Sequence, residues 1–281
     1  MMAKIDYKNA VVVVTGGGHG IGRSIVLSCA ERGAAVVVAD IRVDAAAAVA
    51  KEAADLGVRS LAVATDVSDR AQMDNLADEA YNTFGKVDIL VNNAGVTIRP
   101  YRALWDGSVP DFEFMTNINY YGVVNGLRSF LPRMRQQTGR RHIVNTSSFA
   151  TLYENPGHSM YTGAKAAVNG LSDVLREEFI DLGEDIGVTV LFPGLVTTGI
   201  GQTSEKLRPA IERGAERGVP EYQNKRPYDQ PHHKPLGPDA VGPMALRAID
   251  ADAPYCVTHP APVEYLRRKV DLIAGGYFPV D

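Results

Sequence analysis

The sequence predicts a doubly wound α/β protein, in which helices cover both faces of a parallel sheet of about seven strands. Short runs rich in β-branched residues recur along the 281 residues, and segments of helical length lie between them. The runs are almost continuously apolar, as is typical of parallel strands buried on both faces and joined by crossover helices. We place the strands at residues 10–15, 35–40, 60–65, 87–92, 142–147, 187–192 and 255–258.

Composition favours one soluble domain spanning residues 1–281. The formal net charge is −4 and 45% of the residues are hydrophobic, without the basic excess that nucleic acid or an anionic membrane requires. No apolar signal core begins the chain, and no apolar run could span a bilayer. We therefore expect a cytoplasmic protein that binds neither nucleic acid nor membrane. Cys29 and Cys256 are expected to be buried free thiols, because their spacing suits neither a disulfide framework nor a metal.

A glycine-rich turn follows the first strand and opens a helix. It reads Thr15-Gly16-Gly17-Gly18-His19-Gly20-Ile21-Gly22. Glycines let the chain turn tightly and let a pyrophosphate approach the free N–H groups at the start of the helix. The spacing is Thr-Gly-x-x-x-Gly-x-Gly and not the generic G-x-G-x-x-G, so this turn is either a different dinucleotide fingerprint or a plain turn.

Carboxylates close the second and third strands. Asp40 could accept hydrogen bonds from an adenosine ribose and would repel a 2′-phosphate, which favours NAD over NADP, although it could equally cap a helix. Arg42 lies close enough in sequence to offset part of that repulsion. Asp66-Val67 could bracket the adenine, or Asp66 could cap the helix that begins near Ser68.

The candidate catalytic residues come from the second half of the chain. Tyr161 and Lys165 lie four residues apart on a predicted helix and therefore on one face, where the ammonium would lower the pKa of the phenol. Tyr161 is thus a candidate general base. Ser148 follows the strand at 142–147, so a parallel sheet would present it at the same edge. Asn119 lies where two asparagines weaken a predicted helix, which indicates a polar role or a local kink.

In combination these motifs resemble the short-chain dehydrogenase/reductase family over nearly the whole chain. The matching residues are Thr15-Gly16-x-x-x-Gly20-x-Gly22, Asp66, Asn92-Asn93-Ala94-Gly95, Asn119, Ser148, Tyr161-x-x-x-Lys165 and Pro193-Gly194-x-Val196-x-Thr198. The resemblance implies an NAD-dependent enzyme that transfers a hydride between nicotinamide and a secondary alcohol or ketone. It implies the catalytic residues Asn119, Ser148, Tyr161 and Lys165. The cofactor-binding residues it implies are Gly16, Gly18, His19, Gly20, Ile21, Asp40, Ile41, Asp66, Val67, Asn93, Ala94, Gly95, Tyr161, Lys165, Pro193, Gly194, Val196 and Thr198.

The resemblance also implies a role for each group. Tyr161 carries the proton, Lys165 also binds the nicotinamide ribose, and Ser148 holds the substrate oxygen. Asn119 binds a water through a distorted helix, and residues 193–198 hold the carboxamide. A homo-oligomer, tetramer or dimer, is expected. No metal is expected, because His232-His233-Lys234 has no second cluster of ligands at a suitable spacing.

Substrate specificity is expected to come from a lid at about residues 198–238, helical at 206–215, because loops of this length are usually functional or flexible. Aromatic residues available for the site are Tyr101, Trp105, Phe149, Tyr153 and Tyr222, whereas His158 is expected in an exposed loop. The lid and a last helix at 263–274 resemble bacterial dehydrogenases of bulky aryl or benzylic alcohols. The alternatives are a steroid or sugar-alcohol dehydrogenase and a non-catalytic NAD-binding or sensing protein, which would not need all four catalytic residues.

Overall fold

The structure, a computed structural model, describes residues 5–208, 221 and 234–276. In this part of the chain seven strands form one sheet, and every predicted strand lies within two residues of its expected bounds. The strands are β1 Val11–Thr15, β2 Ala35–Asp40, β3 Ser60–Ala64, β4 Ile89–Asn92, β5 Arg141–Thr146, β6 Ile186–Phe192 and β7 Tyr255–Val257.

The sheet has the order β3-β2-β1-β4-β5-β6-β7, and each neighbouring pair is parallel. In register, Val13 of β1 lies between Val37 of β2 and Leu90 of β4. The chain winds outwards from β1 to β3 and then returns to β4 on the other side of β1. This reversal makes a crevice beyond the carboxyl ends of β1 and β4, where ligands of open α/β sheets bind.

Nine α-helices are described along the same residues. They are α1 Gly20–Glu31, α2 Val43–Asp55, α3 Arg70–Phe84, α4 Val109–Thr116, α5 Gly122–Met134, α6 Ser159–Leu182, α7 Ile200–Leu207, α8 Val241–Asp250 and α9 Val263–Ala274. The first two and α8 cover one face of the sheet, and α3, α5 and α6 cover the other. Alternate β1 side chains therefore enter different cores: Val12 packs with Ile25 of α1, and Val13 with Phe130 of α5. Burial on both faces explains the unbroken apolar strands.

A single turn of π-helix, Asn117–Tyr121, separates α4 from α5. Asn119 is fully buried in this turn and binds the main chain of Val96 twice. Its Oδ1 accepts from the Val96 N–H at 3.0 Å, and its Nδ2 donates to the Val96 carbonyl at 3.0 Å. The local kink expected from paired asparagines is therefore confirmed, and it ties the helix to the chain that leaves β4.

Two helix boundaries differ from those expected. For the helix placed at 206–215, residues 206 and 207 belong to α7, which begins earlier, at Ile200, and residues 209–215 lie outside the described part of the chain. Asp66 does not cap α3, because that helix begins four residues later and Asp69 caps it, accepting from Ala71 N at 2.8 Å.

The last helix has the expected bounds, and both cysteines are buried free thiols. None of the described helices is sufficiently long and apolar to cross a bilayer.

Candidate active site

A cleft opens beyond the carboxyl ends of the central strands, and most of the predicted site residues line it. This catalytic cleft has an empty volume of about 780 Å³, and a pocket of about 540 Å³, the Asp40 pocket, adjoins it. The predicted residues in the cleft are Gly16, His19, Gly20, Ile21, Asn93, Ala94, Gly95, Ser148, Tyr161, Lys165, Pro193, Gly194, Val196 and Thr198. Asp40, Ile41, Asp66 and Val67 line the Asp40 pocket. Gly18 and Asn119 line neither cavity, but each is bonded to a residue that lines the Asp40 pocket: Gly18 donates its N–H to Asp40, and Asn119 binds the main chain of Val96.

Tyr161 and Ser148 are brought together by β5 and α6. Ser148 follows β5, and Tyr161 lies in the first turn of α6. Burial raises the pKa of Tyr161, and a hydrogen bond from Ser148 lowers it in part, with the pKa remaining above the ordinary value of 10.0. The Ser148 Oγ also accepts from the backbone N–H of Ala150 at 3.1 Å, which fixes the hydroxyl at the end of the strand.

Lys165 is buried one turn further along α6, with 2% of its surface exposed. Its Nζ donates to the carbonyl of Thr146 at 2.8 Å. Burial lowers the pKa of Lys165 to about 8, because the low-dielectric surroundings disfavour the ammonium. Gly95 allows the approach of its neighbours, since a Cβ at this position would lie 2.9 Å from Asn119 Oδ1 and 3.3 Å from Lys165 Nζ.

The pKa of Tyr161 is raised in the structure, where its spacing from Lys165 predicts a lowered one. Burial dominates, and Lys165 is not among the groups that shift the pKa of the phenol. The sequence places two residues on one helix face but cannot show how far burial disfavours the phenolate.

The glycine turn has the geometry of an anion cradle. Gly16 adopts φ +62, and a Cβ on Gly22 would lie 2.1 Å from the Gly16 carbonyl, so no larger residue fits at Gly22 without displacing the turn. No described side chain caps the first turn of α1. Gly20 and Ile21, the first residues of α1, line the cleft, so its uncapped N–H groups and the positive end of the helix dipole suit a pyrophosphate.

Asp40 is a buried carboxylate that organises the pocket beside the turn. Its Oδ2 accepts from the N–H of Gly18 at 3.0 Å and its Oδ1 from the N–H of Arg42 at 3.1 Å. Burial raises the pKa of Asp40, but hydrogen bonds from His19, Arg42 and Gly18 outweigh it and hold the pKa below the ordinary value. The carboxylate is therefore ionised at neutral pH and repels a phosphate.

Arg42 lies closer to the pocket than the sequence suggested. Its Nη2 lies 2.7 Å from His19 Nδ1, and its Nε lies 3.8 Å from Asp40 Oδ1. The chain turns back after β2, so the guanidinium offsets part of the negative charge of Asp40. This placement reduces the expected repulsion of a 2′-phosphate without removing it.

Residues 193–198 follow β6, and four of them line the cleft: Pro193, Gly194, Val196 and Thr198. Gly194 donates to Thr258 Oγ1 at 2.9 Å, and a Cβ on Gly194 would lie 2.4 Å from the ring of His259. Thr198 lies beside Gly20, where a Cβ would come within 3.1 Å of the threonine side chain. This segment therefore forms part of the cleft wall and meets the glycine turn at Thr198.

His158 is not in an exposed loop, as the sequence suggested, but is packed beside Tyr161. Its ring centroid lies 4.0 Å from that of Tyr101 and 5.6 Å from that of Tyr161. Burial, together with the charge of Arg99, lowers the pKa of His158 to about 4, so the ring is neutral at pH 7. Trp105, in contrast, is 82% exposed, and Tyr222 and the histidines at 232 and 233 lie outside the described residues.

Some residues of the site were missed by the sequence reasoning. Ile200 of α7 lines both cavities, and Thr203 and Leu207 of the same helix line the Asp40 pocket. Nothing in their residue types signals such a role. Thr15 carried a signal, since it ends β1: its Oγ1 accepts from Asn93 N at 3.0 Å and so joins β1 to the end of β4.

Within 5–208, 221 and 234–276, no cluster of three potential ligands could hold a metal.

Comparison with known proteins identifies the family. The sequence profile of the family described as short chain dehydrogenase matches residues 10–208. A "CLA biosynthesis dehydrogenase/reductase" of Lactiplantibacillus plantarum is 30% identical over 263 residues, covering 91% of this chain and 90% of the relative. A "C alpha-dehydrogenase" of a Sphingobium species is 28% identical over 277 residues, covering 98% and 89%.

A solved structure extends the likeness to the fold. A short chain dehydrogenase/reductase of Burkholderia phymatum, crystallised in complex with NAD, superposes with a TM-score of 0.83 at 33% identity. The match covers 99% of this chain and 98% of the other. With the sheet order and the cleft described above, these findings show that the chain is a dehydrogenase enzyme of the short-chain dehydrogenase/reductase family.

Proposed function

We propose that this enzyme uses NAD to interconvert a secondary alcohol and a ketone, and that the substrate is bulky and apolar or aromatic. One observation carries the reaction: Tyr161, Ser148 and Lys165 line the same cleft, where interaction with Ser148 partly offsets the rise that burial causes in the pKa of Tyr161. A proton carrier, a donor for the substrate oxygen and a cation therefore share one cavity. Simple binding of a nucleotide would require none of these three groups to meet.

The residues of the cleft fit a dinucleotide. The turn at Gly16 and Gly22 leaves no room for side chains, and the first turn of α1 offers its N–H groups to a pyrophosphate. When bound, the nicotinamide accepts or gives up the hydride. Residues 193–198 would hold its carboxamide, and Lys165 would bind its ribose. Asp66 and Val67 would bracket the adenine.

Tyr161 then acts as the acid and base. In alcohol oxidation its phenolate removes the hydroxyl proton, and Ser148 donates to the substrate oxygen so that this atom faces Tyr161. Because burial raises the pKa of Tyr161, the phenolate needs a cation nearby, and Lys165 and the bound oxidised cofactor would supply positive charge. Asn119 would hold a water that links Lys165 to solvent.

NAD is the proposed cofactor because of Asp40. The Oδ1 atom accepts one hydrogen bond, from the N–H of Arg42, and so keeps a lone pair for a ribose hydroxyl. A 2′-phosphate at the same place would meet an ionised carboxylate. The nearby charge of Arg42 makes the preference moderate, and we expect it to be about tenfold in catalytic efficiency.

Aromatic side chains near the catalytic residues support the proposed substrate class. Phe149 directly follows Ser148, and its ring centroid lies 6.1 Å from that of Tyr153. The ring centroid of Tyr153 in turn lies 6.0 Å from that of Tyr265 of α9, so the last helix packs against the segment that follows Ser148. The name of the Sphingobium relative, C alpha-dehydrogenase, is in keeping with a dehydrogenation reaction.

We also propose a homo-oligomer and a single domain. On α6 the side chains of Val174, Ile180 and Leu182 are each more than half exposed, and exposed apolar surface of this kind suits contact with another copy. Light scattering after size-exclusion chromatography tests the assembly: a monomeric mass at micromolar concentration would contradict it.

A panel of secondary alcohols tests the proposed reaction. Aryl, steroid and sugar alcohols are each incubated with NAD, and the absorbance of the reduced nicotinamide is followed. We expect the highest kcat/KM with an aryl alcohol. Faster turnover of a steroid or sugar alcohol would overturn the substrate class, and NADH binding without turnover of any alcohol would favour a sensing protein.

A further inference from the structure

A buried ion pair fixes the end of α7 to the start of α4. Arg208 directly follows α7, and Asp111 lies in the first turn of α4. The pair is bidentate, with Arg208 Nε 2.7 Å from Asp111 Oδ1 and Nη2 2.5 Å from Oδ2. Asp111 is 2% and Arg208 6% exposed. Because the two charge-assisted hydrogen bonds are parallel and buried, they fix both the distance between the two side chains and their relative orientation.

A second contact anchors the middle of the same helix. The backbone N–H of Thr97 donates to Ser204 Oγ at 2.9 Å, and Ser204 in turn donates to the carbonyl of Ile200 at 2.7 Å. Ser204 is 1% exposed. The helix is therefore joined to the chain after β4 at Ser204 and to α4 at its end.

The helix held in this way forms part of the wall of both cavities. Ile200 lines the catalytic cleft and the Asp40 pocket, and Thr203 and Leu207 line the Asp40 pocket. Leu207 also packs against the small apolar cluster that includes Met115 of α4. Movement of α7 away from α4 would therefore open both cavities on the same side.

We propose that Asp111 and Arg208 are a positioning pair that holds α7 against the bound dinucleotide and so sets how fast the cofactor leaves. The inference rests on the proposed binding of a nicotinamide dinucleotide in these cavities. Neither residue lines the catalytic cleft, so both act through α7. Release of cofactor or product limits turnover in many enzymes with such covering elements, which would give this pair influence over kcat.

Cofactor release is the test. NADH is bound to the full-length wild type and to Arg208→Met, and its dissociation is followed by fluorescence in a stopped-flow chase with excess NAD. We expect the dissociation rate constant to rise about tenfold in the variant, equivalent to about 1.4 kcal/mol. Arg208→Lys, which keeps the charge but loses the fork, should give a smaller rise. Lys206→Met, at an exposed position of α7, is the control and should leave the rate unchanged.

Ser204→Ala keeps the test decisive if Arg208→Met does not fold, because it removes the other anchor without leaving an unpaired buried charge. Thermal unfolding without cofactor is measured for every variant. A folded Arg208→Met that releases NADH at the wild-type rate would overturn the inference, as would unchanged release from both Ser204→Ala and Arg208→Lys. If wild type binds NADPH and not NADH, the proposed NAD preference fails, and the same chase with NADPH tests the pair. If the wild type binds neither NADH nor NADPH, both the proposed function and the inference about Asp111 and Arg208 are overturned.

Discussion

Replacing Lys165 by methionine should make the protein more stable at pH 7 while removing a group that the proposed mechanism requires. The ammonium is 2% exposed, and burial lowers the pKa of Lys165 from its ordinary 10.5 to about 8. The charged form is therefore costly in the folded protein. Methionine has a similar length and no charge, so it removes that cost.

The expected size of the effect follows from the two pKa values. The gap between 10.5 and about 8, at about 1.4 kcal/mol per pH unit, amounts to about 3 kcal/mol of destabilisation in the wild type. The substitution also removes the 2.8 Å hydrogen bond to the Thr146 carbonyl, which offsets about 1 kcal/mol. We expect Lys165→Met to raise the free energy of unfolding at pH 7 by about 2 kcal/mol.

The pH dependence gives the sign of the effect. Between pH 8 and 10.5 the unfolded chain still holds the proton that folded Lys165 has released, so the wild type gains stability as pH rises through this range. The variant lacks that contribution. The difference in free energy of unfolding between the variant and the wild type should therefore be largest at or below pH 7 and should decline towards pH 10.

Urea unfolding followed by circular dichroism, at pH 7 and at pH 10, measures both quantities. Lys51→Met is the control, because Lys51 is exposed and pairs with Asp55 on the surface of α2. The reasoning is refuted if Lys165→Met is less stable than wild type at pH 7, or if its difference from wild type does not change with pH. In the same variant we expect weaker NADH binding and strongly reduced turnover.

Three further substitutions test other parts of the site. Asp40→Ser should narrow the expected tenfold preference for NAD over NADP, measured as the ratio of the kcat/KM values with the two cofactors. Equal use of both cofactors by the wild type would contradict the role proposed for Asp40. Ser148→Ala should lower kcat about 100-fold with intact NADH affinity, and an unchanged pH-rate profile would count against its contact with the general base. Gly194→Ala should weaken NADH binding, because the added Cβ would lie 2.4 Å from the ring of His259. Gly163→Ala is the control, since no atom lies within 4 Å of its added Cβ. This control should bind NADH as the wild type does and should have a melting temperature no lower than that of the wild type.

The strands and the motif positions could be predicted because they depend on local pattern. A strand buried on both faces has to be apolar throughout, and β2 matched its expected bounds for that reason. The paired asparagines around Asn119 signalled the π-helical turn, since asparagine disfavours a regular helix. The roles assigned to the site residues come from the family resemblance and stay predictions.

Other features depend on contacts that the sequence does not show. His158 was expected in solvent, but the ring of Tyr101, 57 positions earlier, packs against it at 4.0 Å. Asp66 and Asp69 are both acceptable caps, and only the start of α3 decides between them. The pairing of Asp111 with Arg208 joins positions 97 residues apart, and neither residue belongs to a motif.

The central claim is that Tyr161 carries the proton in a dehydrogenase reaction, and Tyr161→Phe tests it most directly. Wild type and variant are compared for NADH affinity and for kcat with the best alcohol from the panel. We expect NADH affinity to remain nearly unchanged and kcat to fall by at least about 100-fold, because only the transferable proton is lost. A variant that retains near-normal turnover would contradict the account.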